Sequence, residues 1–181
     1  EDYINKDKDN YILKYNYENR LIVRMGYNYS YNSAGGALVN NTITTNSYSI
    51  RAGFESAGNI LYGISKMINM RKNKDGEYAI LGIPYAQYLK GDFDFAKNII
   101  IDHRNSLAFH AGIGIAVPYG NAKVVPFEKR YFSGGANSVR GWSVRNLGPG
   151  SFAGDGNFMN QSGDIKLDAS IEYRTRLFWK F

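Results

Sequence analysis

The sequence predicts an all-β protein: an antiparallel transmembrane β-barrel, of which this chain supplies a partial barrel of about six to eight strands. Three observations predict it. Residues 165–177 and several shorter stretches keep strict apolar/polar alternation, which is the period of a strand and not of a helix. Among 181 residues there are 15 Tyr, 10 Phe and 20 Gly, yet no apolar run reaches the length of a membrane helix. A strand crossing a bilayer needs only about ten residues and gives every second side chain to lipid, so its mean hydropathy looks soluble. Finally, residues 130–149 form a Gly-punctuated stretch with Arg140, Arg145, Tyr131, Phe132 and Trp142, too much aromatic and cationic mass for a loop with nothing to pack against.

The elements follow in order. Residues 11–17 are either a separate strand turning at Glu18-Asn19 or the start of one long strand. In 21–31, Leu21, Val23, Met25, Tyr27, Tyr29 and Tyr31 alternate with Ile22, Arg24, Gly26, Asn28 and Ser30. That apolar face grades from aliphatic to tyrosine, as in a strand leaving hydrocarbon for an aromatic belt. Residues 47–56 set Tyr48, Ile50, Ala52 and Phe54 against Ser47, Arg51, Gly53 and Glu55, whereas 59–68 fits a strand end or a short helical turn. Residues 84–101 alternate Leu89, Phe93 and Phe95 with Lys90, Asp92 and Asp94. A short turn at 103–106 joins them to 107–117, giving a hairpin. There Leu107, Phe109, Ile113, Ile115 and Val117 oppose Ala108, His110, Gly112, Gly114 and Ala116. Small residues along one face predict that something bulky approaches from that side.

In 165–177, Ile165, Leu167, Ile171 and Tyr173 oppose Lys166, Asp168, Glu172, Arg174 and Arg176. Membrane barrels have short periplasmic turns and long outer loops, so a periplasmic 103–106 sends 119–162 out from the outer rim. The same parity makes 33–46 periplasmic, which is long for such a turn. Two open edges would be an aggregation liability, so the chain is expected either to belong to a larger barrel or to close with strands beyond those counted.

Composition excludes several other classes. Cysteine is absent, which removes disulfides and thiolate metal sites. His103 and His110 have no companion cluster, so no metal is expected. Asp92 and Asp94 share a strand face and read as lumen charge, because no nucleophile or base accompanies them. The net charge of +6 is scattered along alternating strands, which fits a polar lumen and loops better than nucleic acid. No cofactor and no catalytic residue is implied. The absence of a leader sequence suggests a mature or excised piece.

The 119–162 connection is the most informative segment. Long structureless loops are functional or disordered. The composition of Gly150–Ser162 fits disorder, whereas Val124–Phe132 is too apolar and aromatic for it. Gly134-Gly135 permits a sharp turn, which makes Val139–Trp142 the tip of a folded-back hairpin.

Here Arg130-Tyr131-Phe132-Ser133-Gly134-Gly135, then Val139-Arg140-Gly141-Trp142, then Leu147-Gly148-Pro149, resembles the lumen-loop signature of the BamA/TamA-type outer-membrane assembly family. The strand from Gly163 to Arg174 resembles the one that follows that loop in the family. The wording of the motif is closer to TamA-like members, and Trp142 stands where Phe or Tyr is commoner.

The resemblance implies a sixteen-stranded parent barrel in a Gram-negative outer membrane, preceded by periplasmic POTRA domains. Its activity would be non-enzymatic: folding and insertion of β-barrel or autotransporter-like clients. It also implies a functional loop motif of Arg130, Tyr131, Phe132, Gly134, Gly135, Val139, Arg140, Gly141 and Trp142, with Glu172 as the lumen-wall partner of Arg140. The partners implied are unfolded outer-membrane proteins, a periplasmic assembly partner or inner-membrane-anchored TamB-like protein, and the bilayer with its lipopolysaccharide. Side-chain chemistry agrees with the pairing, since Glu172 falls on the polar face and a guanidinium fork matches a carboxylate. Two alternatives use the same residues: a passive channel or porin with a constricting loop, and a dedicated two-partner-type polypeptide translocator.

Overall fold

The alternation in the sequence becomes a single antiparallel meander. The computed structural model describes residues 19–34, 38–39, 42–43, 46–136, 138–148, 150–151 and 161–176. Its main sheet holds five strands: β1 (Arg24–Asn32), β2 (Ser47–Ala57), β3 (Tyr88–Ile100), β4 (Asn105–Pro118) and β5 (Ile165–Thr175). Each is hydrogen-bonded to its neighbours in chain order, and the sheet stays open between β1 and β5. Two two-residue ladders, 38–39 with 42–43 and 79–80 with 83–84, lie outside it.

Register explains the two faces. Tyr29, Ala52, Phe93, Ile113 and Leu167 form one row across the sheet, and Asn28, Gly53, Asp92, Gly114 and Lys166 form the next. Successive residues of a strand point to opposite sides, so the first row belongs to an apolar face and the second to a polar one. Tyr27, Phe54, Phe93, Ile113, Leu167 and Ile171 are all exposed on the apolar face. A water-soluble sandwich would bury such a face against a second sheet. Among the described residues no layer covers it, and it has the composition of a lipid-facing wall.

One open alternative is resolved, toward the helix, and one strand boundary differs from expectation, both for simple physical reasons. Residues 59–68 hold a helix, α1 (Asn59–Met67), which follows Gly58 at φ 75. The turn between β3 and β4 falls at 101–104, because the Asp102 carboxylate accepts from the Arg104 and Asn105 N–H groups at 2.7 and 2.9 Å. This local Asx turn lets β4 begin at Asn105. Five long strands result: 59–68 is helical, and the segment 11–17 lies outside the described residues. So do Pro149, most of Gly150–Ser162, and the end of 165–177.

The 33–46 and 101–104 connections emerge at one rim, and the 58–87 and 119–164 connections at the other. Buried side chains gather on the inner side of that second rim, where Ala57, Ala86, Tyr88, Ala116, Val125 and Tyr131 form one cluster with Ile22 against it.

Candidate functional site: a loop returned onto the inner wall

The loop begins with a polar anchor at the rim. Asn121 is buried; its amide donates to the Tyr78 and Tyr85 carbonyls at 3.0 and 2.9 Å, and its N–H donates to Gln87 Oε1 at 2.9 Å. This fixes the direction in which the chain leaves β4. A 3₁₀ turn at Phe127–Lys129 then brings Lys129 Nζ to 3.0 Å from Glu55 Oε1 on β2. Glu55 also accepts from Arg24 on β1 and from the Tyr88 hydroxyl on β3. One carboxylate thus ties three strands to the loop stem.

Tyr131 is the next fixed point. It pairs with Gly163 through reciprocal backbone bonds of 2.9 and 2.8 Å, which closes the base of the loop. Its hydroxyl donates to Asp92 Oδ1 at 2.6 Å, and Lys90 Nζ sits 4.2 Å from the ring centre. Burial, followed by the hydrogen bond to the Asp92 carboxylate, pushes the phenol well above its ordinary pKa. The ring lies where a side chain at Gly114 would be, so the small residues of β4 do face a bulky group. Beside it the Arg130 guanidinium donates to the Val125 carbonyl at 3.0 Å, with Asp164 at 3.8 Å.

Beyond Tyr131 the chain folds back on itself. Ser133 pairs with Leu147, Gly135 N–H donates to the Trp142 carbonyl at 2.8 Å, and Arg145 N–H donates to the Ser133 carbonyl at 3.0 Å. Gly134, at φ 97, passes so close to the Ser143 carbonyl that a side chain would collide with it. The Arg145 guanidinium lies over the Phe127 ring at 4.0 Å and near the Phe132 ring at 5.0 Å, which clamps the two arms.

The tip, Ser138–Trp142, projects over β5. Arg140 Nη2 lies 3.0 Å from Glu172 Oε1, and the other Glu172 oxygen takes Arg174 Nη2 at 2.8 Å. Arg140 is 72% exposed and Glu172 30%, so the pair is hydrated. Val139 and Trp142 remain half exposed. Between tip and wall lies an open cavity of about 980 Å³, lined by Arg51, Asp94, His110, Lys166 and Asp168. The His110 ring nitrogens lie 3.3 Å from Asp94 and 3.2 Å from Asp168. Among the described residues no group of His, Asp and Glu has a geometry to hold a metal ion.

Sequence reasoning missed Glu55, Lys129, Asn121 and the clamping role of Arg145. The small face of β4 was the one signal that pointed to Tyr131's niche.

A family model described as the Omp85 superfamily domain matches residues 2–181. The chain is also similar to the outer membrane protein assembly factor BamA of Neisseria meningitidis serogroup B (strain ATCC BAA-335 / MC58), at 37% identity over 60 residues. That stretch is 33% of this chain, and the chain spans 8% of the length of that curated relative.

Proposed function

The chain belongs to the Omp85 superfamily, whose barrels are integral to the bacterial outer membrane, and from that premise we propose that it is the loop-bearing wall of an outer-membrane protein assembly factor. The activity is non-enzymatic: the parent barrel folds and inserts other outer-membrane polypeptides by weakening the bilayer beside a gated seam. Its clients are unfolded β-barrel proteins, and its partners are a periplasmic assembly subunit or a TamB-like protein anchored in the inner membrane. The loop braces the wall from within. The stem is held through Tyr131 and Glu55, and Arg140 engages Glu172 at the tip.

The observation that supports this reading is the return of the tip onto β5, with 3.0 Å between Arg140 and Glu172. Solvent screens so hydrated a pair, which leaves it able to bias the loop and too weak to hold the barrel together. Arg140→Ala in the intact protein, reconstituted in liposomes, therefore leaves the barrel folded. It slows the folding of a urea-unfolded outer-membrane client, read by heat-modifiable migration on gels. An unchanged client rate with unchanged protease resistance of the loop defeats the reading.

The cavity of about 980 Å³ between tip and wall favours a second reading, a passive channel constricted by the loop. In that case Arg140→Ala raises single-channel conductance, and neither variant nor parent accelerates client folding.

A further inference from the structure

Helix α1 sits on the outside of the barrel wall. In the extended segment leading into β3, Ala86 and Tyr88 point inward, into the cluster with Tyr131 and Val125. Tyr85 and Gln87 have the opposite parity, shared with the lipid-facing Leu89. These outward residues hold the helix: the Tyr85 hydroxyl donates to Ser65 Oγ at 3.3 Å, and the Gln87 amide donates to Asn59 Oδ1 at 3.0 Å. Tyr119, which continues the outward parity of Ile115 and Val117, also donates its hydroxyl to Asn59. The helix thus continues the lipid-facing surface of Leu89 and Val117 past the end of the strands.

Its free face is apolar at helical spacing. Ile60, Ile64, Met67 and Ile68 are exposed, Met67 at 85%. The hairpin that follows ends at Leu81, which is 97% exposed and left-handed at φ 52, with Ile83 exposed beside it. Leu81 occupies a tip position where glycine or asparagine relieves the backbone, so an apolar side chain is kept there at a conformational cost. The charges around this face are mostly positive. Lys66 lies on α1, Arg71, Lys72 and Lys74 follow it, and Asp75 stands among them, while Glu77 is engaged by Arg20 at 3.2 Å. Lys66 and Lys72 lie along the rings of Tyr62 and Tyr78, each at 5.1 Å.

We propose that α1 and the segment 68–83 form an interfacial anchor, seated in the outer leaflet with the apolar stripe among acyl chains and the lysines and arginine on anionic lipid phosphates. Three observations select lipid over a protein partner. The helix is mounted on the outward-pointing residues of the wall, it adjoins the lipid-facing band, and its cations complement a phosphate-bearing surface. It emerges on the rim of long connections, which is the outer rim in membrane barrels.

The test places an environment-sensitive fluorophore at Ile64→Cys in the intact protein, reconstituted in phosphatidylglycerol-containing liposomes. The 181 residues contain no competing cysteine. Phe93→Cys and Ser143→Cys serve as lipid-facing and loop controls. The anchor predicts that the probe at 64 is quenched by nitroxide-bearing lipid and spared by aqueous iodide, like the probe at 93 and unlike that at 143. Combined Lys66→Gln, Arg71→Gln, Lys72→Gln and Lys74→Gln removes most of the lipid quenching, as does replacing phosphatidylglycerol with phosphatidylcholine. Quenching by iodide alone overturns the proposal. Protection from both quenchers overturns it in favour of a protein cover, and lipid quenching indifferent to the charges overturns the phosphate recognition.

Discussion

The ring of Tyr131 fills the space above Gly114, so closely that a Cβ built on the glycine would lie 2.5 Å from the tyrosine Cζ. A loop residue and a strand residue are therefore shaped for one another. The Asp92 carboxylate at 2.6 Å holds the ring in place from its hydroxyl end. Gly114→Ala must displace the ring and break that bond, at an expected cost of about 1–3 kcal/mol to loop closure. Limited proteolysis across 119–164 reads this as faster cleavage with the barrel still heat-modifiable. Gly114→Ala combined with Tyr131→Ala adds little beyond Tyr131→Ala alone, because the clash no longer exists. Full additivity of the two would mean that they do not meet.

The Tyr131 hydroxyl also sets a pH dependence. Burial first, and the Asp92 hydrogen bond second, raise its pKa in the closed loop. A folded-state value above the unfolded one gives closure that is complete below the ordinary tyrosine pKa, about 10, and lost as pH rises through the folded value. A spin-label distance between loop and wall is therefore constant from neutral pH to about 10 and lengthens only above it. Tyr131→Phe removes the alkaline step and weakens closure throughout by about 0.5–1.5 kcal/mol. An opening transition at mildly acidic pH in the parent, absent from Tyr131→Phe, would contradict this assignment.

At the tip, Glu172 is shared between Arg140 and Arg174, so losing Arg140 does not strand a carboxylate. Arg140→Glu is expected to be worse than Arg140→Ala, because it sets like charges together. Exchanging both residues, Arg140→Glu with Glu172→Arg, restores tip attachment only in part, since Arg174 then faces a like charge. Loop-to-wall distances rank the variants, with the parent closest, then the double exchange, then Arg140→Glu. A double exchange no better than Arg140→Glu would remove the pair from the account.

The strand faces were legible because register and period are the same information. Once Phe93 is outward, Ala52, Tyr29, Ile113 and Leu167 follow across the sheet. Helix α1 was not legible, because nine residues with Gly63 in the middle satisfy a short helix and a strand end alike. The Arg140–Glu172 contact could be anticipated from a motif plus strand parity. Glu55 with Lys129 could not: alternation puts Glu55 on a polar face, but the two lie 74 positions apart and nothing periodic marks Lys129 as its partner. Gly114 showed that a bulky neighbour was coming but not which one. Small residues record the shape of a contact and nothing of its partner.

Arg145 joins backbone strain to a stacking contact, and the two can be separated. It is left-handed at φ 63 while its guanidinium sits over Phe127 at 4.0 Å and near Phe132 at 5.0 Å. A non-glycine residue in that region costs about 1 kcal/mol, and the stack returns about 0.5–2 kcal/mol. Arg145→Gly removes both terms and is expected to be nearly neutral. Arg145→Ala keeps the strain and loses the stack, so it opens the hairpin more than the glycine variant does. Arg145→Lys falls between parent and alanine, because an ammonium stacks less well on two rings than a planar guanidinium. Hydrogen exchange at the Arg145 amide, which donates to the Ser133 carbonyl at 3.0 Å, reports the order directly. Alanine protected better than glycine would show that the stack contributes nothing and that some other contact holds the hairpin closed.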